Sequence, residues 1–287
     1  MRVLIAGCGY VGCRVGAELS RLGHSVWGLR RTGAEDSTLR AAGIAPVHAN
    51  LTRPETLADL DPDYDQVVHC VAASGGGVAE YERVYYEGTQ NLVSWLRTAQ
   101  LAKLVFTSST SVYGQTDASW VDENSPTKPS AATAEVIVRT ELLLRELAAK
   151  SNLPAVILRV AGIYGPGRCY WLDQVRTGAA RRETAPRYLN MIHRDDVAGA
   201  VLAALELGRP GLVYNVADDE PVEQRVLLEW IAGFLKQPAP AGSDVPGSSS
   251  KRGWSNKRIS NRRLKAELRY RLIYPTFREG YAAIAGG

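Results

Sequence analysis

Residues 2–13 read Arg2-Val-Leu-Ile-Ala-Gly-Cys-Gly-Tyr-Val-Gly-Cys13, and the fold follows from the change of character at Gly7. Val3 to Ala6 is a short aliphatic run of the kind that forms a buried parallel strand. It runs straight into Gly7-x-Gly9-x-x-Gly12. A helical pattern follows, with Val11, Val15, Ala17, Leu19 and Leu22 apolar and Gly23 as its stop. Each glycine does something a larger residue could not. Gly7 turns the chain sharply, Gly9 lets the backbone approach a pyrophosphate, and Gly12 lets helix and strand pack closely. The free N–H groups and partial positive charge of the helix start then face the phosphates. Ser25 to Leu29 supplies a second strand, so the motif lies in a βαβ unit and marks a dinucleotide site. Gly7, Gly9, Tyr10, Val11 and Gly12 are its predicted binding residues.

The 287-residue chain is 45% hydrophobic and 22% charged, an ordinary globular composition, with enough length for one large α/β domain or a domain plus a small lobe. Its net charge of +4 is unevenly spread, because nine basic residues and one acid, Glu267, lie between Lys251 and Arg271. Such a basic lobe suits an anionic small molecule, or is a solvated helix face; no nucleic-acid-binding motif accompanies it. Cys8, Cys13, Cys70 and Cys169 show neither Cys-x-x-Cys nor zinc spacing, which points to reduced thiols and no metal. No apolar run approaches the roughly 20 residues of a membrane span, and the N-terminus lacks a signal-peptide pattern. The expectation is a cytoplasmic protein, monomer or homodimer, with a small-molecule substrate.

Further along, the second strand ends in Gly28-Leu-Arg30-Arg31. An NAD site of this kind places an acid here for the ribose 2′-hydroxyl, whereas arginine suits a 2′-phosphate. Arg30 and Arg31, with no acid before Glu35, therefore predict NADP over NAD. Pro46 to Asn50 reads as the third strand, with Asn50 and Leu51 near the adenine. Gln66 to Ala73 reads as a strand covered on both faces, bringing Ala72 and Ala73 beside the cofactor, and Gly75 to Gly77 form a flexible loop. Tyr81 to Gln100 reads as one long helix with Val84, Leu92, Val93 and Leu96 inward. Lys103 to Gly114 is a strand whose carboxyl end carries hydroxyls from Thr107 to Ser111, and ligands bind outside such ends. Thr107 and Ser108 are assigned to the cofactor.

With these residues the chain resembles the extended short-chain dehydrogenase/reductases, the NAD(P)-dependent epimerase/dehydratase family that includes sugar-nucleotide epimerases. The resemblance rests on the opening glycines, His69-Cys-Val-Ala-Ala73, Gly88-Thr-Gln-Asn-Leu92, Ser108-Ser-Thr-Ser-Val-Tyr-Gly114 and Leu158-Arg-Val-Ala-Gly-Ile-Tyr-Gly-Pro-Gly167. Ile192-His-Arg-Asp-Asp-Val197, Tyr214-Asn-Val216, Ser260-Asn-Arg-Arg-Leu264 and Tyr274 to Gly280 extend it. It implies an α/β fold, a doubly wound parallel sheet (Rossmann fold) with a small C-terminal substrate lobe. The core spans 1–160 and is completed around 190–216; the lobe comprises 161–190 and 217–287. It implies an NAD(P)-binding oxidoreductase acting on a small polar molecule, with sugar nucleotides and anions as candidates. Ser74, Tyr85, Tyr164 and His193 then fall at the substrate. The arginines between 168 and 190 and the basic tail are candidates for an anionic group.

The family exchanges protons through a Ser or Thr and a Tyr-x-x-x-Lys pair one helical turn apart. Ser109 matches the hydroxyl. On the predicted helix from Ala131 to Lys150, Glu141 matches a family glutamate, which puts Thr133 where tyrosine belongs and Ile137 where lysine belongs. No Tyr-x-x-x-Lys occurs anywhere in the chain. Threonine titrates far above neutrality and isoleucine can neither hydrogen-bond a ribose nor supply charge; losing acid–base help alone removes about 10² to 10⁴ in rate. Ser109, Thr133 and Tyr113 remain as catalytic candidates, and Tyr85, which stands where the family often has asparagine, and Tyr164 are further phenols. Two other readings stay open: a non-catalytic NADP-binding or redox-sensing protein, and a lyase or isomerase without net hydride transfer.

Overall fold

The computed structural model describes residues 1–73, 75–96, 100–243 and 255–285. Seven strands, β1 (Arg2–Ala6), β2 (Ser25–Arg30), β3 (Ile44–His48), β4 (Gln66–His69), β5 (Lys103–Ser109), β6 (Ala155–Val160) and β7 (Val213–Val216), build one sheet. Its order is β7-β6-β5-β4-β1-β2-β3 and every neighbouring pair is parallel. Such a sheet needs crossover helices on both faces, so its strands are apolar throughout: Val3 to Ala6 and Leu104 to Phe106 are fully buried. Helices α1 (Tyr10–Arg21), α2 (Gly88–Trp95), α3 (Ala132–Ser151) and α4 (Arg194–Leu207) supply much of that cover, α1 packing on α4. The winding direction reverses between β1 and β4, which opens a crevice beyond Ala6 and His69. This is the doubly wound α/β fold that the sequence predicts. Beside the sheet, Tyr164, Leu172, Met191, Leu227, Ile231 and Phe277 belong to a second, smaller apolar cluster.

Several local expectations shift. Leu22 follows the end of α1 and is exposed, while Gly23 beyond it takes a positive φ of 84° that ends the helix. β3 spans Ile44–His48, starting and ending earlier than the sequence suggests, because its register matches Ile44 to Val26 and His48 to Arg30. Pro46 is tolerated there because β3 is an edge strand. β4 stops at His69, where the chain leaves the sheet to pass under the glycine turn. The long helix expected over Tyr81 to Gln100 is a helical turn at Val78–Tyr81, a π-helical turn at Glu82–Glu87, then α2, ending at Trp95. Thr89 causes part of this: its hydroxyl donates to the Tyr85 carbonyl, inserting a side chain into the ladder. Gly242–Ser243 pairs in parallel with Arg182–Glu183, and residues 244–250 lie outside the described residues. No helix among the described residues is long and apolar enough to cross a membrane.

His69, at the end of β4, carries a pH signature. It is fully buried, and its Nε2 lies 2.8 Å from the Thr89 hydroxyl. That hydroxyl spends its proton on Tyr85, so His69 Nε2 is the donor and the unpartnered Nδ1 is bare. Burial pushes the imidazole down to about 3 from an ordinary value of 6.5. The unfolded chain takes up this proton below pH 6.5 and the native protein does not until about pH 3. Stability is therefore lost as pH falls through that window, at about 1.4 kcal/mol per pH unit. Comparing urea midpoints of wild type and His69→Gln checks this: the wild-type advantage at pH 7.5 narrows steadily toward pH 4. A gap that stays constant contradicts it.

Candidate active site

The crevice at the carboxyl ends of β1, β2, β4, β5 and β6 is a cavity of about 810 Å³. Its floor is the glycine turn, and the spacing explains itself in three dimensions. Gly7 has φ +90°, and a Cβ there would sit 2.5 Å from the backbone nitrogen of Val71. At Gly12 a Cβ would meet the Gly7 carbonyl oxygen at 2.6 Å, so this glycine lies beneath the turn and off the cavity wall. Gly9 is the opposite case: nothing lies within 4 Å of its Cβ position, and its bare backbone faces the cavity. A cradle that a side chain would fill, at the amino end of α1, fits the pyrophosphate of a dinucleotide. Tyr10 and Val11 also line it.

At one end of the cavity Arg30, Arg31, Asn50 and Leu51 are brought together, as the sequence predicts. The two arginines differ in state. Arg30 is ion-paired with Glu35, which raises its pKa, whereas Arg31 is exposed and carries no ion pair among the described residues. Arg53 joins them; it lies just beyond Leu51 in the chain but carries no motif of its own. Asn50 shapes the corner by accepting from Thr52 N and donating from its own N–H to Thr56.

At the other end stand Ala72, Ala73, Tyr85, Thr107, Ser108 and Ser109, while Ser74 lies outside the described residues. Two of the hydroxyls are committed: Thr107 donates to the His69 carbonyl at 3.3 Å and Ser108 donates to Glu141. Ser109 Oγ accepts from Ser111 N at 3.2 Å, which caps a short 3₁₀ turn and leaves its proton available to donate. Ile137 reaches the cavity wall from α3, with Val160, Ile163 and Val197 beside it. An apolar patch thus occupies the place where the family resemblance expects an ammonium. Thr133, one turn earlier on α3, is buried and off the cavity wall.

Several predicted site residues lie off the cavity wall. Tyr113 is buried, its hydroxyl donating to Asn215 Oδ1 and accepting from Arg159 Nη1, both at 2.8 Å. Burial pushes its pKa up to about 12, and it lies off the cavity wall. Tyr164 stacks on Tyr281 with centroids 4.8 Å apart inside the second apolar cluster. His193 caps α4, its Nδ1 accepting from Asp195 N at 3.1 Å, and lies between Tyr164 and Tyr274. Burial lowers its pKa, and it lies off the cavity wall.

Some of the arginines and lysines expected to hold an anion are paired with carboxylates of the chain itself, while Arg262, Arg269 and Arg271 are exposed. Arg176, Arg182 and Arg187 pair with Asp173, Glu229 and Glu183, and Arg181 donates to backbone carbonyls. In the basic tail Arg263 faces Glu123 and Glu267, Lys265 pairs with Asp219, and Lys257 is buried against the Tyr113 carbonyl. Lys251 and Arg252 lie outside the described residues. Arg168 is the exception in its stretch: it lines the cavity, its guanidinium 5.7 Å from the ring centre of Tyr10 at the start of α1. Arg83 lines the cavity too. Arg83 belongs to no local pattern that marks it for a site, so only the fold selects it, whereas Arg168 is among the arginines the sequence offers for an anionic group. No group of acids, histidines and cysteines among the described residues could hold a metal ion.

Comparison with known proteins places this geometry. Residues 3–217 match the model of the NAD dependent epimerase/dehydratase family. The chain is 29% identical to Protein YeeZ of Escherichia coli, over 96% of each chain. It is 28% identical to a 3-diazoavenalumate denitrifying reductase from a Streptomyces species, covering 98% of this chain and 99% of that one. A solved putative NAD-dependent epimerase/dehydratase from Methylobacillus flagellatus superposes with a TM-score of 0.81 at 35% identity, covering 99% and 97%. With a matching glycine cradle, sheet order and crevice, the chain belongs to the NAD-dependent epimerase/dehydratase family of oxidoreductase- and epimerase-type enzymes.

Proposed function

We propose that this chain is an NADPH-dependent reductase of a small polar molecule, working without the tyrosine–lysine proton relay. Arg31 carries the coenzyme half of the reading: an exposed cation on the cavity wall at the end of β2, without a carboxylate partner among the described residues and with no acid beside it to receive a 2′-hydroxyl. A 2′-phosphate fits this corner, with Arg53 as a second cation. The reductase name of the full-length Streptomyces relative favours reduction over epimerisation.

The coenzyme, when bound, supplies hydride from its nicotinamide ring. Ile137, Val160, Ile163 and Val197 give that ring an apolar wall and keep water from one face. Ser109 holds the substrate oxygen by donating its free proton, stabilising the negative charge that grows there; one such donor contributes about 10² to 10³ in rate. The single proton that completes the reduction comes from solvent through the open side of the cavity. In the same reading the protein works in the cytoplasm as a monomer or homodimer.

Two measurements test the proposal. In equilibrium titrations wild type binds NADPH more tightly than NADH, and Arg31→Gln raises the NADPH Kd about 10- to 100-fold, the worth of one charge-assisted hydrogen bond, with NADH unchanged. Tighter binding of NADH by wild type sinks the preference. Loss of nicotinamide absorbance with a panel of small carbonyl, quinone and diazo compounds, reduced by Ser109→Ala, tests the chemistry. Tight binding without turnover on any of them favours a coenzyme-binding protein instead.

A further inference from the structure

Cys8 stands between Gly7 and Gly9 in the nucleotide-binding turn, fully buried and on the cavity wall; Cys13 lies in the first turns of α1, half-buried. Their sulfur atoms are 3.9 Å apart, and the Cys13 thiol also donates to the Cys8 carbonyl oxygen at 3.2 Å. The third thiol of this region, Cys70, is turned away to the Gly7 carbonyl oxygen at 3.2 Å. All are free cysteines. The geometry points to Cys8 and Cys13 as an oxidisable dithiol that closes a disulfide on reaction with a hydroperoxide and thereby weakens coenzyme binding. The coenzyme half of this inference rests on the dinucleotide reading of the cavity; the disulfide half does not.

The two sulfurs are unequal in a way that suits the chemistry. Cys13 is lowered by its hydrogen bond with Cys8 and further by the Arg30 guanidinium, which makes it the readier of the two to react as thiolate. Cys8 is raised by the same hydrogen bond and by burial, so it keeps its proton. The Cys13 thiolate attacks a peroxide oxygen: an S–O bond forms, the O–O bond breaks, and hydroxide leaves to become water. The resulting sulfenic acid is then attacked by the Cys8 sulfur, which gives up its proton as the S–S bond forms and the S–O bond breaks, releasing a second water. Two thiols lose two electrons in all and the peroxide gains them.

Closure has a mechanical consequence for the turn. A disulfide is about 2.05 Å long, so the sulfurs must approach by about 1.9 Å from their 3.9 Å separation. Cys8 is wedged against β2, where a Cβ on Gly28 would lie 2.8 Å from its sulfur and 2.9 Å from Ile44 Cγ2. Closing the bond draws that sulfur away from β2, to which the turn is anchored. Gly7 N and Cys8 N both donate to the Leu29 carbonyl, at 3.2 and 3.1 Å, and those bonds hold the turn in its binding shape.

The test treats the full chain with stoichiometric hydrogen peroxide, with and without later reduction by dithiothreitol. Peptide mass mapping should show a Cys8–Cys13 crosslink, and the coenzyme Kd should rise at least tenfold and recover on reduction. In Cys13→Ser, the same treatment should give no crosslink at Cys8 and no change of Kd from that variant's untreated value. Sulfinic acid at Cys13 without a crosslink, or a crosslink to Cys70, overturns the dithiol; a Cys8–Cys13 crosslink with unchanged Kd overturns the coupling. Should the reduced protein bind no coenzyme, the dinucleotide reading fails and with it the coupling, while mass mapping still decides the dithiol.

Discussion

Gly7→Ala is expected to raise the coenzyme Kd by at least roughly 100-fold and to destabilise the fold, whereas Gly9→Ala is expected to lose coenzyme binding with the fold intact. The two glycines are close neighbours in the turn and oppose each other physically. Gly7 holds φ +90°, which costs a non-glycine residue about 1–3 kcal/mol, and its added Cβ would lie 2.5 Å from Val71 N, 2.6 Å from Val71 Cα and 2.7 Å from the Cys70 carbonyl carbon. Those are backbone atoms of the segment leaving β4, so nothing flexible can yield, and overpacking adds about 1–3 kcal/mol more. At Gly9 a Cβ meets nothing within 4 Å and points into the cavity where a pyrophosphate would approach. Thermal melts with coenzyme titrations separate the cases. Equal stability losses in both variants, or tight binding by Gly9→Ala, would contradict this account of the turn.

The second large effect lies behind the cavity. Arg159 and Glu141 form a bidentate pair, side chains 4% and 3% exposed, with Nη2–Oε2 at 2.7 Å and Nε 3.1 Å from both carboxylate oxygens. The same carboxylate accepts from Ser108, and the same guanidinium donates to Tyr113, which donates to Asn215 on β7. This chain of bonds ties β5, α3, β6 and β7 together. Arg159→Leu leaves a buried carboxylate without its cation, a loss of about 3–5 kcal/mol that we expect in urea unfolding. Arg159→Leu/Glu141→Leu should recover much of that loss, because the orphaned charge is gone. A double variant no more stable than the single one would show that packing around Arg159, not charge, dominates.

The family resemblance carried a functional residue set that the tertiary structure redistributes. Ser109 and the arginine at the end of β2 lie on the cavity wall, but Tyr113 and His193 are held by Asn215, Arg159 and Asp195 in scaffold roles. Asn215 is 102 residues from Tyr113, and no local pattern announces that bond. Part of the basic tail is committed in the same way: Lys265 and Arg263 find Asp219 and Glu123, acids far away in the chain that no local window shows. The π-helical turn that breaks the long helix is followed by Thr89, which meets His69 across the fold, a contact no local pattern announces.

By itself the sequence determined the glycine turn, the parallel runs that must be covered on both faces, and the absence of any Tyr-x-x-x-Lys pair. These are properties of residue type and local spacing, set by sterics and burial over a few residues. Only the tertiary structure decided which cations remain unpaired at the cavity, which hydroxyl keeps a proton to donate, and that Cys8 and Cys13 face each other. Whether a charge or a hydroxyl is committed depends on partners brought from distant segments, and those partners are chosen by packing of the whole sheet rather than by anything written beside the residue.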